Sequence, residues 1–444
     1  MRKPRSGLGK LKCKLWDIYQ KVLAELSPDR LVSDYLESQN WSHPVDVLAV
    51  GKAAVPMALS CLRILAQSLG RGFLLTKYGH IDEGSRNALG DRFQLREAAH
   101  PVPDAAGLEA TSELLKWLQR GRGDLLVLMS GGASALLVAP QRPLNLKDLM
   151  EVNSSLLQSG LPIERMNVLR KHLSRVKGGQ LAQRCGSYRT IKQLLMVDIC
   201  APDLNAAAIL SLVGSGCFVG DPFSEKEARE ILQGLRLPPD VSDRARQAIH
   251  QTPAETSVES VILASHKSLL DRAWAEVGPS GLDHPDWQSE ITGEVKEVAA
   301  RFARVAKSLR KEGRTGFLIA SGEPTVEIRV DQPGRGGRCQ ELALHFAREI
   351  AGIEGLTLLA GSSDGTDGPT EDAGALVDWR TWFELSRLLG VEELERSLAC
   401  HDSGSALARL DGTLFQTGPT GQNLNDLYLL QVSSSSVSRG PDAC

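Results

Sequence analysis

The chain has 444 residues, of which 42% are hydrophobic and 24% charged, with a formal net charge of −3 at pH 7. These are ordinary globular proportions, with room for two or three domains and a sizeable core. The near-neutral charge gives no electrostatic reason to bind nucleic acid or an anionic membrane. The eight cysteines form no C-x-x-C pair and no zinc spacing, which predicts reduced thiols and a cytoplasmic protein.

In chain order, the basic start (Arg2, Lys3, Arg5, Lys10, Lys12, Lys14) leads into no signal-peptide apolar core and reads as a frayed, solvated end. Val45–Val50 (VDVLAV) reads as a buried strand ending at Gly51, followed by a helix over Ala54–Ala66. Gly72–Thr76, Asp124–Met129 and Gln193–Val197 are further strands, with helices at Ala105–Gln119, Leu146–Leu157 and Val168–Gln183 between them. Strands alternating with helices predict an α/β fold: a Rossmann-like, mostly parallel sheet with helices on both faces. Two uncharged stretches, 125–141 and 204–220, are interrupted by Gly and Ser and are short for a bilayer helix, so strand–loop–helix turns explain them better.

From Pro222 to Pro253 the chain is charged and carries Pro238-Pro239; Ser224 with Glu227 makes a capping box for a helix over Glu225–Gly234. The domain linker is placed here. A strand at Ser260–Ala264 and an amphipathic helix over Glu294–Lys311 open the second half. Strands then follow at Gly316–Ala320, Val326–Val330, Leu356–Ala360 and Leu427–Val432, the run GEPTVEIRV suiting a hairpin. The second domain is therefore a smaller α/β domain with a mixed sheet. The division is 1–240, 255–432 and a Ser-rich, disordered tail over 433–444.

Many of the glycines follow strands directly, where backbone N–H groups can hold a phosphate. Lys52 sits in the turn Val50–Ala54, either as an exposed helix-start lysine or as an anion ligand. Ser130-Gly131-Gly132-Ala133-Ser134 follows a strong strand and permits close backbone approach to a ligand, or is simply a tight packing turn. Arg170, Ser174 and Lys177 fall on one helical face that could meet a carboxylate or phosphate, or water. Asp198 ends a strand, placed for Mg²⁺, for a substrate hydroxyl or for a helix cap. Arg335 and Arg338 lie in a glycine-rich loop before an apolar helix over Leu342–Ile350 and can approach an anion bidentately. Asp364 and Asp367 could hold a cation or form Asx turns, and the loop Thr417–Asn423 is a hairpin turn or a phosphate cradle. No G-x-x-x-x-G-K-[ST], G-x-G-x-x-G after a strand, H-E-x-x-H or G-x-S-x-G is present, which disfavours P-loop and protein-kinase chemistry.

The ordered set of motifs resembles the type II glycerate kinases, an N-terminal glycerate-kinase domain followed by a MOFRL domain. The resemblance covers about Leu15 to Val432. It rests on GKA at Gly51–Ala53, HPVPDAAG at His100–Gly107, SGGASALL at Ser130–Leu137 and NVLRKHLSRVKGGQLA at Asn167–Ala182. In the second half it rests on SGEPTVEI at Ser321–Ile328, GRGGRCQELAL at Gly334–Leu344, SDGTDGPTEDAGA at Ser363–Ala375 and TGPTGQNLNDL at Thr417–Leu427. The resemblance implies transfer of a phosphoryl group from ATP, with Mg²⁺, to D-glycerate or a close hydroxy acid, giving 2-phosphoglycerate, in a cleft between the domains. It implies catalytic roles for Lys52, Asp198 (also the metal ligand) and Arg335 or Arg338. It implies substrate or phosphate contacts from Ser130, Gly131, Gly132, Ser134, Arg170, Lys177, Ser215, Glu323, Asp364, Asp367, Thr420 and Asn423. The partners implied are these small molecules, with no nucleic acid and no membrane; a homodimer stays open. Hydroxypyruvate reduction and acid binding without catalysis are the alternatives. The sequence departs from the family pattern at Ala133 (usually Gly), at Cys339 (usually Asn), at Cys217-Phe218 (usually Pro-Thr) and at Val197 and Ile199 (usually Ser and Val).

Overall fold

Apolar runs too short for helices build two sheets. In chain order the strands are β1 Val45–Val50, β2 Leu69–Lys77, β3 Phe93–Ala98, β4 Asp124–Met129, β5 Thr190–Met196, β6 Glu259–Ala264, β7 Gly316–Gly322, β8 Leu356–Ser362, β9 Gly374–Asp378, β10 Leu414–Phe415 and β11 Asp426–Val432. The computed structural model describes residues 10–41, 43–199, 205–284, 287, 291–328 and 330–434. Among these, 28–199 and 205–263 form one compact unit, and 10–27 with 264–434 form the other.

The first unit holds a six-stranded sheet of order β3-β2-β1-β4-β5-β6. The pairs β1–β2, β1–β4, β2–β3 and β4–β5 are parallel. Every residue of β1 and β4 is buried, the signature of central strands covered on both faces. The acid in each has a partner: Asp46 meets Arg71 Nη2 at 2.6 Å, and Asp124 meets Arg189 Nη2 at 3.0 Å. The chain runs outward from β1 to β2 and β3, then returns to place β4 on the other side of β1. The order reverses there, so the carboxyl ends of β1 and β4 lie at the topological switch point of the sheet, where ligands of open α/β sheets bind.

The second unit is an antiparallel sheet of order β10-β9-β8-β11-β7. Isolated parallel bridges join Gly281 and Ile291 to β7. The helices Val295–Lys311 and Arg338–Glu349 bury Phe302, Leu309, Leu342 and Phe346 in one core with Leu358 and Tyr428 from the sheet. Asp426 opens β11 between Gly322 of β7 and Ser362 of β8, so three loops converge at that edge.

Several expectations change. The 240/255 boundary and its linker are not observed. Helices Glu225–Gln233 and Pro239–Ala248 bury Ile231, Leu232, Val241 and Ala245 in a core with Leu149, Val152 and Leu169, because apolar residues recur there at helical spacing. The Ser224–Glu227 capping box is present. Strand Glu259–Ala264 closes the first sheet rather than opening the second domain. The basic start from Lys10 is a helix, Lys10–Glu25, of the second unit, not a frayed end. Its Trp16 and Tyr19 rings stand 5.1 and 5.3 Å from Phe415, and Tyr19 Oη donates to the Ser362 carbonyl at 2.6 Å. The helix placed over 168–183 is two, Ile163–His172 and Gln180–Gln183, separated by Gly178 and Gly179 at φ +57° and +78°. The hairpin at Val326–Val330 does not form: Ile291 N donates to Ser321 O and Glu323 N to Ile291 O, so that edge of β7 is already occupied. Cys61, Cys185, Cys217, Cys339 and Cys400 are free thiols. The tail beyond 434 and residues 1–9 lie outside the described residues. Among the described residues no helix is long and apolar enough to cross a membrane.

Candidate active site

The turns leaving β1 and β4 are bound to each other. Lys52 N donates to Gly131 O at 2.9 Å, Ala53 N to Ser130 Oγ at 3.0 Å, and Ser130 N to Val50 O at 3.1 Å. Gly51 has φ +123°, and a Cβ there would strike Ser130. The β1 turn is therefore no phosphate cradle, since its amides hold the second turn. It contributes instead the Lys52 side chain, which makes no hydrogen bond or ion pair among the described residues.

The β4 turn is differently built. The amides of Gly131, Gly132, Ala133 and Ser134 donate to no acceptor among the described residues. Gly132 is at φ +88°, and a Cβ there would lie 3.0 Å from His100 Cδ2 and 3.4 Å from Lys52 Cγ. A Cβ on Gly131 would fall on the Asp198 carboxylate, so only glycine lets Asp198 come this close to the turn. Asp198 follows β5, the next strand over, which explains its arrival here.

Cations surround this turn. Lys177 is 7% exposed; its Nζ donates to Ser134 O at 2.6 Å and Ser134 Oγ at 2.9 Å. Burial, aided by Arg170 and opposed by Cys217, lowers its pKa to about 8. Ser134 Oγ is also 2.7 Å from Ser215 Oγ. Arg170 Nε donates to Asn153 Oδ1 at 3.0 Å and Nη1 to Asn167 Oδ1 at 3.4 Å. His100 is held down to about 4 by burial and then by Lys52, Lys77 and His80, so its imidazole is neutral at pH 7. Burial likewise lowers His80, whose Nδ1 is 3.1 Å from Lys52 O.

Two cavities meet here. One, of about 210 Å³, is lined by Ser130–Ser134, Asn167, Arg170, Asp198 and Ser215. The other, of about 550 Å³, shares Gly132, Ser134 and Arg170 with it and extends past His100, Lys177 and Asn153 to an apolar wall. Arg170, Ser174 and Lys177 thus face one cavity, although they do not lie on one continuous helix. All the first-unit residues singled out from the sequence gather here. His80, His100, Asn153 and Asn167 were not singled out. His100 opens the HPVPD motif directly after β3, and that position at a strand's carboxyl end was the available signal.

The second-unit residues gather at the Asp426 edge of their own sheet. Arg338 Nε and Nη2 hold Asp426 at 2.6 and 3.1 Å, and Nη1 meets Glu323 at 2.7 Å. Asp426 was not singled out; it is fully buried and also accepts from Tyr428 Oη at 3.0 Å. The Arg335 side chain is exposed and makes no hydrogen bond or ion pair among the described residues, while its backbone N donates to Asp402 at 2.7 Å. Asp367 accepts from Cys339 N and Gln340 N at 3.1 and 2.8 Å, at the start of the helix Arg338–Glu349. Burial and then Asp426 raise it to about 7. Asp364 accepts from Thr366 N and Ser362 Oγ, both at 2.9 Å, in an Asx turn. Thr420 Oγ1 donates to Ser363 O at 2.6 Å, and Asn423 Oδ1 accepts from Asn425 N at 3.4 Å, so these loops brace one another. Among the described residues no group of three or more His, Cys, Asp or Glu could hold a metal ion.

Residues 14–250 match the domain of unknown function DUF4147, and 316–426 match the MOFRL family. D-glycerate 2-kinase of Thermotoga maritima is 34% identical over 93% of this chain and 96% of its own length. Glycerate 2-kinase of Pyrococcus horikoshii is 32% identical over 95% of each. A crystal structure of glycerate kinase from Thermotoga maritima superposes with a TM-score of 0.84 at 32% identity, covering 95% of this chain and 99% of that one. By sequence and by fold, the chain belongs to the type II glycerate kinase family, with a DUF4147 domain followed by a MOFRL domain.

Proposed function

We propose that the chain is an ATP-dependent glycerate 2-kinase, transferring a phosphoryl group to the 2-hydroxyl of D-glycerate or a close hydroxy acid. The observation that carries this reading is the β4 turn. Its unengaged amides sit at the switch point of the sheet beside Lys52, Arg170 and Lys177, with Asp198 the carboxylate at the same cavity. Phosphoryl transfer asks the protein mainly to position the reactants and to offset charge on the phosphate oxygens. The amides and lysines suit phosphate oxygens, and Arg170 suits a carboxylate or phosphate by its planar fork.

Asp198 is the proposed base that orients the acceptor hydroxyl. It is also the residue here that would hold Mg²⁺, an ion bound by one or two carboxylates together with substrate phosphates. With substrate phosphate oxygens as further ligands, Asp198 would hold the ion, which would supply charge neutralisation. Of the two arginines, Arg335 is assigned to an anionic substrate group, because Arg338 already serves Asp426 and Glu323. Glu323, Asp364, Asp367, Thr420 and Asn423 then shape and brace the loops around it. Against hydroxypyruvate reduction, the β1 turn reads Gly-Lys-Ala where a dinucleotide fingerprint would need further glycines.

The test is phosphorus NMR of the purified chain incubated with ATP, Mg²⁺ and D-glycerate. The expected product is 2-phosphoglycerate with matching ADP. Absence of a phosphate ester on glycerate and on other three- and four-carbon hydroxy acids would remove the proposal.

A further inference from the structure

The two cavities at the β4 turn differ in volume, about 550 against 210 Å³, and that difference assigns their occupants. The larger one begins at Gly132, Ser134 and Arg170, and its far wall is Pro101, Val102, Pro103, Met150 and Leu157. Three of these are apolar side chains left open: Val102 is 56% exposed, Met150 37% and Leu157 68%. Apolar side chains gathered on a cavity wall mark a ligand surface more often than chance exposure does. Asn153 stands among them. Its Oδ1 is engaged by Arg170, and its NH₂ makes no hydrogen bond among the described residues.

We infer that this cavity seats the nucleoside of the phosphoryl donor, a purine base stacked between the Pro101–Pro103 loop and Met150 with Leu157. Its phosphates would run back to the β4 turn, while the smaller cavity takes the acceptor acid. The inference rests on the kinase reading above and refines it. A purine has apolar faces and a polar edge, which the apolar wall and the Asn153 amide match in kind. A three-carbon hydroxy acid is polar throughout and gains nothing from Val102, Met150 and Leu157. The smaller cavity, of about 210 Å³, sets Asn167, Arg170, Asp198 and Ser215 beside Ile163, Leu212 and Val213, and suits a small acid by its size. The larger one, at about 550 Å³, falls within the roughly 300–1,000 Å³ of pockets for larger organic ligands.

The experiment compares wild type, Met150→Trp, which fills the cavity, and Leu157→Ala, a change at an exposed position that leaves folding intact. Calorimetry measures ADP and tripolyphosphate binding, and steady-state kinetics give separate KM values for ATP and D-glycerate. Met150→Trp should weaken ADP binding and raise KM for ATP about tenfold, and Leu157→Ala about threefold. KM for D-glycerate and the tripolyphosphate affinity should stay within about twofold of wild type. A rise in KM for D-glycerate alone would place the acid in the larger cavity and overturn the inference. Unchanged ADP binding in both variants, or equal losses for ADP and tripolyphosphate, would overturn it too. If wild type phosphorylates no hydroxy acid, the kinase reading fails, while the contrast between ADP and tripolyphosphate still decides the base site.

Discussion

Lys52, Arg335 and Arg338 are alike in charge, and only their surroundings separate them. Arg338 is locked to a fully buried carboxylate. Arg338→Ala would strand Asp426 and should cost about 3 kcal/mol of stability, read by chemical denaturation. Arg335→Ala should leave the midpoint unchanged and lower kcat/KM instead. Lys177 makes a pH prediction. Its folded pKa of about 8 lies below the ordinary 10.5, so its charge is present at neutral pH and is lost as pH rises through about 8. KM for ATP should therefore climb between pH 7 and 9, which a pH series of KM measures. The departures from the family pattern also resolve at this scale. Ala133 is 1% exposed and belongs to the apolar core under the β4 turn. Cys217 is buried, with its thiol pushed up to about 11, and Cys339 is buried with its thiol raised further, so both act as packing rather than as reactive groups.

At the scale of elements, the site depends on two glycine turns that a methyl group would damage in different ways. Gly51→Ala meets both a positive φ and Ser130, and should cost about 2 kcal/mol or more. Gly131→Ala should spare stability more but displace Asp198, lowering kcat with a smaller effect on ADP affinity; thermal melts and kinetics separate the two outcomes. The strands beneath these turns were legible in the sequence. Val45–Val50 and Asp124–Met129 are continuous apolar runs flanked by turn residues, and both form as read. Val168–Gln183 was not legible as two helices, because the first ends at His172, Ser174 bridges to Pro140, and Gly178 and Gly179 adopt a left-handed backbone that apolar spacing does not report. Val326–Val330 has strand chemistry, but its ladder is taken by Ile291, a partner in space rather than in sequence.

For the whole molecule, the α/β class could be read from alternating strands and helices, and Lys52, Ser130–Ser134 and Asp198 from their places at strand ends, whereas Arg170 and Lys177 were read from helical spacing and Ser215 from the family resemblance alone. The division into units could not, since it depends on which core each helix joins. Lys10–Glu25 looked like a basic tail, yet Trp16 is 1% exposed and packed on Phe415. Trp16→Ala should cost about 3 kcal/mol or more by cavity formation, seen as an earlier unfolding transition. Acid sensitivity is also a global property. Burial, then Arg348, Lys296 and His401, depress His345 from 6.5 to about 4. An unfolded chain would take up that proton earlier, so the stability tied to neutral His345 is present above about pH 6.5 and lost as pH falls toward 4. It amounts to about 3 kcal/mol at most. In His345→Asn the midpoint should fall less steeply over that range than in wild type.

The most direct measurement is kcat for ATP-dependent phosphorylation of D-glycerate by wild type and by Lys52→Ala, with ADP affinity measured alongside. The account predicts turnover by wild type, a fall of about a hundredfold or more in the variant, and ADP binding largely kept by the β4 turn amides. Undiminished turnover in Lys52→Ala would contradict it.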